Sequence, residues 1–215
     1  MNEFLLNRFL IPLVLTAIFF YFQAYWKNLE NFLKKRIKNK RKLETFLFLL
    51  DCLKVKRASL KRIVFVPIVY SILLEVFLSL IFHNPLHGFF EPVWFAGLTS
   101  GFLSPIAEEF LTRAVFLGFC GSGLLAVLKL RGVKFNREKE YAYYFVWLLI
   151  SSLVFVLAHE NFTLFQFILR FSLSMLYGIL YLVNRRNVLP SIVAHASANW
   201  FIILKDYILG FESII

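Results

Sequence analysis

Three ionisable side chains, Glu108, Glu109 and Arg113, stand between two apolar runs, Val93 to Ala107 and Ala114 to Leu128. A charge at the centre of a membrane helix costs about 2.5–3.5 kcal/mol on insertion scales, so such groups normally pair inside a bundle or line a wet cavity. On a helix that begins near Pro105, Glu109 and Arg113 are four residues apart and can pair on one face. Glu108 is turned about 100° from that face and is left without a cation. An unneutralised carboxylate in such a site has the chemistry of a general base.

Two further polar clusters lie in apolar segments. Phe155 and His159 are four residues apart at the end of one, and His195 and Asn199 are four apart within another, so each pair shares a helix face. Each has an ordinary explanation on its own: His159 as a helix-end residue, and His195 with Asn199 as hydrogen-bonding glue between helices. Together the three clusters suggest acid, base and hydrogen-bond donors converging on one cavity, where they can activate water for hydrolysis. His159, His195 and Glu108 also match the two-histidine, one-carboxylate ligand set of hydrolytic zinc sites, so Zn2+ is permitted as a cofactor and not required.

Glu108-Glu109-x-x-x-Arg113 after a proline, Phe155-x-x-x-His159, and His195-x-x-x-Asn199 within Leu-Pro-Ser-Ile-Val-Ala-His-Ala-Ser-Ala-Asn resemble, in order, the three motifs of the CPBP (ABI) family. That family comprises type 2 CAAX prenyl endopeptidases and bacteriocin-processing or immunity proteins. The resemblance spans about residues 93 to 204, with Thr112-Arg113-Ala114 standing where members often have Phe-Arg-Gly. It implies an intramembrane endopeptidase, glutamate-dependent or metallo-, that cleaves near the C-terminus of membrane-associated substrates, prenylated ones among them. By motif position Glu108 is the general base, His159 its proton-transfer partner, and His195 with Asn199 the oxyanion stabilisers. Glu109 and Arg113 hold the geometry. A non-enzymatic immunity or scaffold protein is the alternative; a transporter relaying protons through buried carboxylates is a third, less favoured without an internal repeat.

The elements that must position these residues follow from composition. The chain has 215 residues, 60% of them apolar and 17% charged, with a mean hydropathy of +0.70. This is an all-α polytopic transmembrane bundle, expected to hold about six to eight helices in a single integral membrane domain, 1–215. Spans are expected at Phe9 to Trp26 (a retained anchor), Ile63 to Phe82, Val93 to Leu128, Tyr141 to Ala158, Phe162 to Val183 and Val188 to Leu204. Within them Glu75 reads as a shielded bundle residue, and Arg170 is a lone cation.

The net charge of +11 is concentrated between Lys27 and Arg62, where thirteen Lys/Arg face Glu30, Glu44 and Asp51. In a membrane protein such a connector is the cytoplasmic signal and an attraction for anionic headgroups, not a nucleic-acid footprint. Connectors 27–62, 129–140 and 185–186 are therefore expected on the cytoplasmic side. Residues 93–128 then make one net crossing, with a broken or re-entrant helix around Pro105; two full crossings would turn one basic connector outward. The catalytic core is expected at 93–204. His83 and His87 are four apart, but Pro85 and Gly88 argue against the helix that would join them on a metal.

Overall fold

The structure is a computed structural model that describes residues 9–56, 59–82, 92–159 and 163–212. His83 and His87, and the Glu160-Asn161 pair after His159, lie outside the described residues. Seven helices make up the described chain: α1, Ile11–Arg36; α2, Lys40–Leu50; α3, Val66–Phe82, entered through a π turn at Lys61–Phe65; α4, Val93–Leu130; α5, Arg137–Leu157; α6, Leu164–Val183; and α7, Leu189–Glu212. Four of them, α3 to α6, are long and apolar enough to cross a membrane, and the chain is an integral membrane protein. Phe9 to Trp26 and Val188 to Leu204, also expected as spans, fall in α1 and α7, which are helical but not among those four.

Local chemistry explains the boundaries. Asn39 caps α2 by accepting from Lys42 N–H, and Asn136 caps α5 by accepting from Lys139 N–H at 2.9 Å. Thr163 and Gln166 form a reciprocal capping box at the start of α6. Pro190 occupies the first turn of α7, where its missing N–H has no helical partner to lose. Much of the basic connector is ordered helix, since α1 runs past Trp26 to end on Lys34, Lys35 and Arg36, cations suited to the negative end of the dipole.

The expected break at Ser104-Pro105 is replaced by something subtler. From Val93 to Leu130 the helix is continuous, with right-handed helical backbone at Leu103 and Ser104. At about 1.5 Å per residue its 38 residues extend about 57 Å, and an unbroken helix crosses a bilayer once only. Instead of breaking, α4 widens into π turns at Thr99–Leu103, just before Pro105, and at Phe110–Cys120, just after Glu109. The wider turn takes the proline ring without ending the helix, and π turns commonly mark functional sites.

α4 is the central element, touching α1, α5 and α7, while α7 also packs on α3 and α6. Phe19 of α1 meets Phe110 of α4 edge-on, with ring centres 5.4 Å apart, and Thr16 donates to the Leu103 carbonyl. Gly97 and Gly101 let α7 lie close to α4: a Cβ at Gly97 would stand 2.4 Å from the Trp200 ring. The turn between α6 and α7 is clamped by α4, α5 and the connector. Arg186, in left-handed backbone with φ of 61°, donates to Ser122 and Tyr144, and Asn187 holds the backbone of Lys56 through both amide atoms. That clamp sets where α7 begins, and therefore where His195 sits.

Candidate active site

Glu109 and Arg113 form the buried centre. Both are fully buried, and Arg113 Nε donates to Glu109 Oε2 at 3.1 Å, the pairing expected from their spacing. Arg113 spends its other two nitrogens on Ser151 of α5 and Ser174 of α6, each at 2.5 Å, and its guanidinium lies over the Phe155 ring. One side chain thus ties α4, α5 and α6 together at the depth of the site. Beside this junction Gly178 lets Leu148 of α5 close on α6, since a Cβ there would stand 2.2 Å from the Leu148 side chain. Ala114, at the position where the resembling family often has glycine, is fully buried in the core.

The free oxygen of Glu109 orients His195. Its Oε1 lies 3.1 Å from His195 Nδ1, which as an N–H donates to it. The ring is held flat against Tyr177, with centroids 4.9 Å apart, and edge-on to Phe155. His159, at the C-terminal end of α5, is fixed in the same manner by the carbonyl of Phe155, 2.7 Å from its Nδ1. Both imidazoles therefore turn Nε2 inward, and both face one atom: Glu108 Oε2 lies 3.8 Å from His159 Nε2 and 3.8 Å from His195 Nε2. Glu108 is partly exposed as a whole, yet that oxygen is buried and has no hydrogen-bond partner. A buried carboxylate oxygen without a donor is costly, and a water molecule is the natural occupant between such groups.

Asn199 sits one turn beyond His195 on α7, and its place follows from Pro105. In the π turn Ser104 N–H reaches back to the Thr99 carbonyl, so the next bond in that register would run from residue 105 to the Ser100 carbonyl. Proline has no N–H to give. Asn199 Nδ2 supplies the missing donor, at 2.6 Å from the Ser100 oxygen. An amide nitrogen carries two hydrogens, so a second remains. Among the described residues no hydrogen bond links Asn199 to the other motif side chains, whereas Glu108, Glu109, Arg113, His159 and His195 are drawn directly together.

The donor set Glu108, His159 and His195 has the chemistry of a zinc site, with both Nδ1 atoms engaged and both Nε2 atoms directed inward. Its spacing is wider. Tetrahedral zinc with bonds of about 2.0–2.1 Å brings donors within about 3.4 Å of one another, against the 3.8 Å found. Among the described residues no group of three His, Cys, Asp or Glu is close enough to hold a metal as it stands. Glu75 belongs to a different part of the bundle: it is fully buried in α3, where Ser79 donates to it at 3.3 Å.

Sequence reasoning missed Ser151, Ser174 and Tyr177. Small hydroxyls in apolar helices are common, and only their meeting with Arg113 distinguishes these two. The signal that was available is the spacing Ser174, Tyr177, Gly178, a small and polar stripe on one face of α6.

Comparison with curated proteins and with solved structures found no match. A family model, Type II CAAX prenyl endopeptidase Rce1-like, matches residues 88–201, more than half of the chain and all of the motif residues. With its three polar motifs meeting on the central helix of an all-helical membrane bundle, the chain belongs to this family of CAAX proteases.

Proposed function

We propose that the protein is an intramembrane endopeptidase that hydrolyses a peptide bond near the C-terminus of membrane-associated, including prenylated, substrates through water activated by Glu108. The observation that carries this reading is the buried, unpartnered Glu108 Oε2 facing two oriented imidazoles at 3.8 Å. Water held there gives a proton to Glu108 as its oxygen attacks the scissile carbonyl carbon. The proton then passes to the departing amine, with His159 as the partner in that transfer. In its charged form His195 donates from Nε2 to the oxyanion, with Glu109 as its counter-ion, and the second hydrogen of Asn199 Nδ2 is the further donor. Arg113 and Glu109 preserve this arrangement rather than touch substrate.

A second reading, with zinc held by His159, His195 and Glu108, is favoured by the fixed tautomers of both rings and requires the donors to close by about 0.4 Å. On either reading the catalytic core is 93–204, and the basic connectors 27–62, 129–140 and 185–186 face the cytoplasm and its anionic headgroups.

The test is cleavage of a farnesylated C-terminal peptide by purified protein in lipid. Wild type is expected to cleave, and Glu108→Ala to lose at least about a hundredfold in kcat/KM, with thermal unfolding unchanged within a few degrees. Retained cleavage in Glu108→Ala refutes the role of Glu108. A wild-type protein inert towards prenylated and unprenylated membrane-proximal peptides alike supports the non-enzymatic scaffold or immunity reading instead.

A further inference from the structure

The helix α6, which brings Ser174 and Tyr177 to the site, also carries a cation that the proposed chemistry does not use. Arg170, in the second turn of α6, is partly buried, and its guanidinium nitrogen Nη1 is shielded from solvent without a hydrogen-bond partner. Among the described residues no carboxylate approaches it within 4 Å. A guanidinium nitrogen shielded without a partner is uncommon, because each N–H taken from water without replacement is costly.

Its position is fixed by what shares its helix face. Arg170, Ser174, Tyr177 and Gly178 stand at i, i+4, i+7 and i+8, one stripe of α6. Three of the four are already accounted for: Ser174 accepts from Arg113, Tyr177 lies flat on His195, and Gly178 admits Leu148 of α5 beside Arg113. Arg170 continues the stripe by one turn, about 5.4 Å along the helix, towards the end of α6 that follows His159 in the chain. Glu108 is the carboxylate whose charge reaches Arg170, while burial of the guanidinium opposes its charge.

Glu109 and Arg113 neutralise each other in direct contact. Glu108 and Arg170 are of opposite sign and form no ion pair within 4 Å. A ligand that suits both offers an electrophilic carbonyl at one end and an anion at the other. The C-terminal end of a peptide chain is such a ligand. In a CAAX sequence three residues follow the prenylated cysteine, and their extended length is at most about 10–11 Å. The planar fork of arginine matches a carboxylate in both shape and charge.

We propose that Arg170 is a specificity-determining residue that binds the free α-carboxylate of the substrate's C-terminal residue. This deepens the endopeptidase reading above and rests on it.

The test compares two farnesylated peptides identical but for their ends, one a free acid and one a C-terminal amide. Wild type is expected to favour the acid by about ten- to a hundredfold in kcat/KM, the size of a charge-assisted hydrogen bond, mostly through KM. In Arg170→Gln the preference is expected to fall to within about twofold, and in Arg170→Lys, which keeps the charge and loses the fork, to an intermediate value. A wild-type ratio near one overturns the proposal, as does an undiminished ratio in Arg170→Gln; the first outcome decides even where the variant does not assemble. The same acid and amide pair, N-methylated at the scissile bond, is measured for binding. If wild type cleaves nothing, the endopeptidase reading fails, while acid-selective binding that is lost in Arg170→Gln still supports the carboxylate site and equal binding overturns it.

Discussion

Replacing Arg113 with methionine tests the centre of the site most severely. The substitution keeps most of the side-chain volume and removes three hydrogen bonds, to Glu109, Ser151 and Ser174. What it leaves behind matters more. Glu109 is fully buried, and without Arg113 its remaining partner is His195. Stranding one member of a buried pair costs about 3–5 kcal/mol. At about 2–4 °C per kcal/mol for a chain of this size, the unfolding midpoint in detergent is expected to fall on the order of 6–20 °C. Removing both charges, as in Glu109→Met with Arg113→Met, is expected to recover at least half of that loss, because no uncompensated charge remains. The double variant should nevertheless stay inactive, since His195 Nδ1 has lost its acceptor and the ring its orientation. The assay is a thermal melt of the purified single and double variants beside wild type, with peptide cleavage measured on each. An Arg113→Met midpoint within about 2 °C of wild type, or a double variant that falls by the sum of the singles, refutes the buried-pair argument.

Two other outcomes are expected. Asn199→Ala leaves the Ser100 carbonyl without a donor, at a cost of about 1–3 kcal/mol read as a lower unfolding midpoint; Pro105→Ala restores an N–H at residue 105, so the double variant should melt above Asn199→Ala alone. For metal, the glutamate reading expects less than about 0.1 equivalent of zinc in the active protein and cleavage that survives chelator, whereas about one equivalent, lost together with cleavage on chelation, carries the zinc reading.

Much of the site was legible because membrane sequence makes polar residues conspicuous. Glu109 and Arg113 pair as their four-residue spacing requires, and Glu108, one residue earlier, is left unpaired by the same helical rotation. The convergence of His159 and His195 on Glu108 could only be suspected, because it depends on how α5 and α7 pack against α4. Ser151, Ser174 and Tyr177 were invisible for a related reason: their types are ordinary, and only the partner that each meets makes them part of the site. The continuity of α4 departs from the expected break at Pro105 because the general rule about proline leaves out the partner that α7 supplies. Proline removes one donor from a helix, and a break is one way to absorb the loss. Here the helix opens into a π turn, and the carbonyl thereby orphaned is taken by a side chain from another helix. The proline of the first motif and the asparagine of the third are therefore two halves of one hydrogen-bond problem. Neither half can be understood from its own segment. The solution also has a consequence for the chemistry, because docking Asn199 on Ser100 fixes the rotation of α7, and His195, one turn away on the same face, is thereby directed at Glu108 and Glu109.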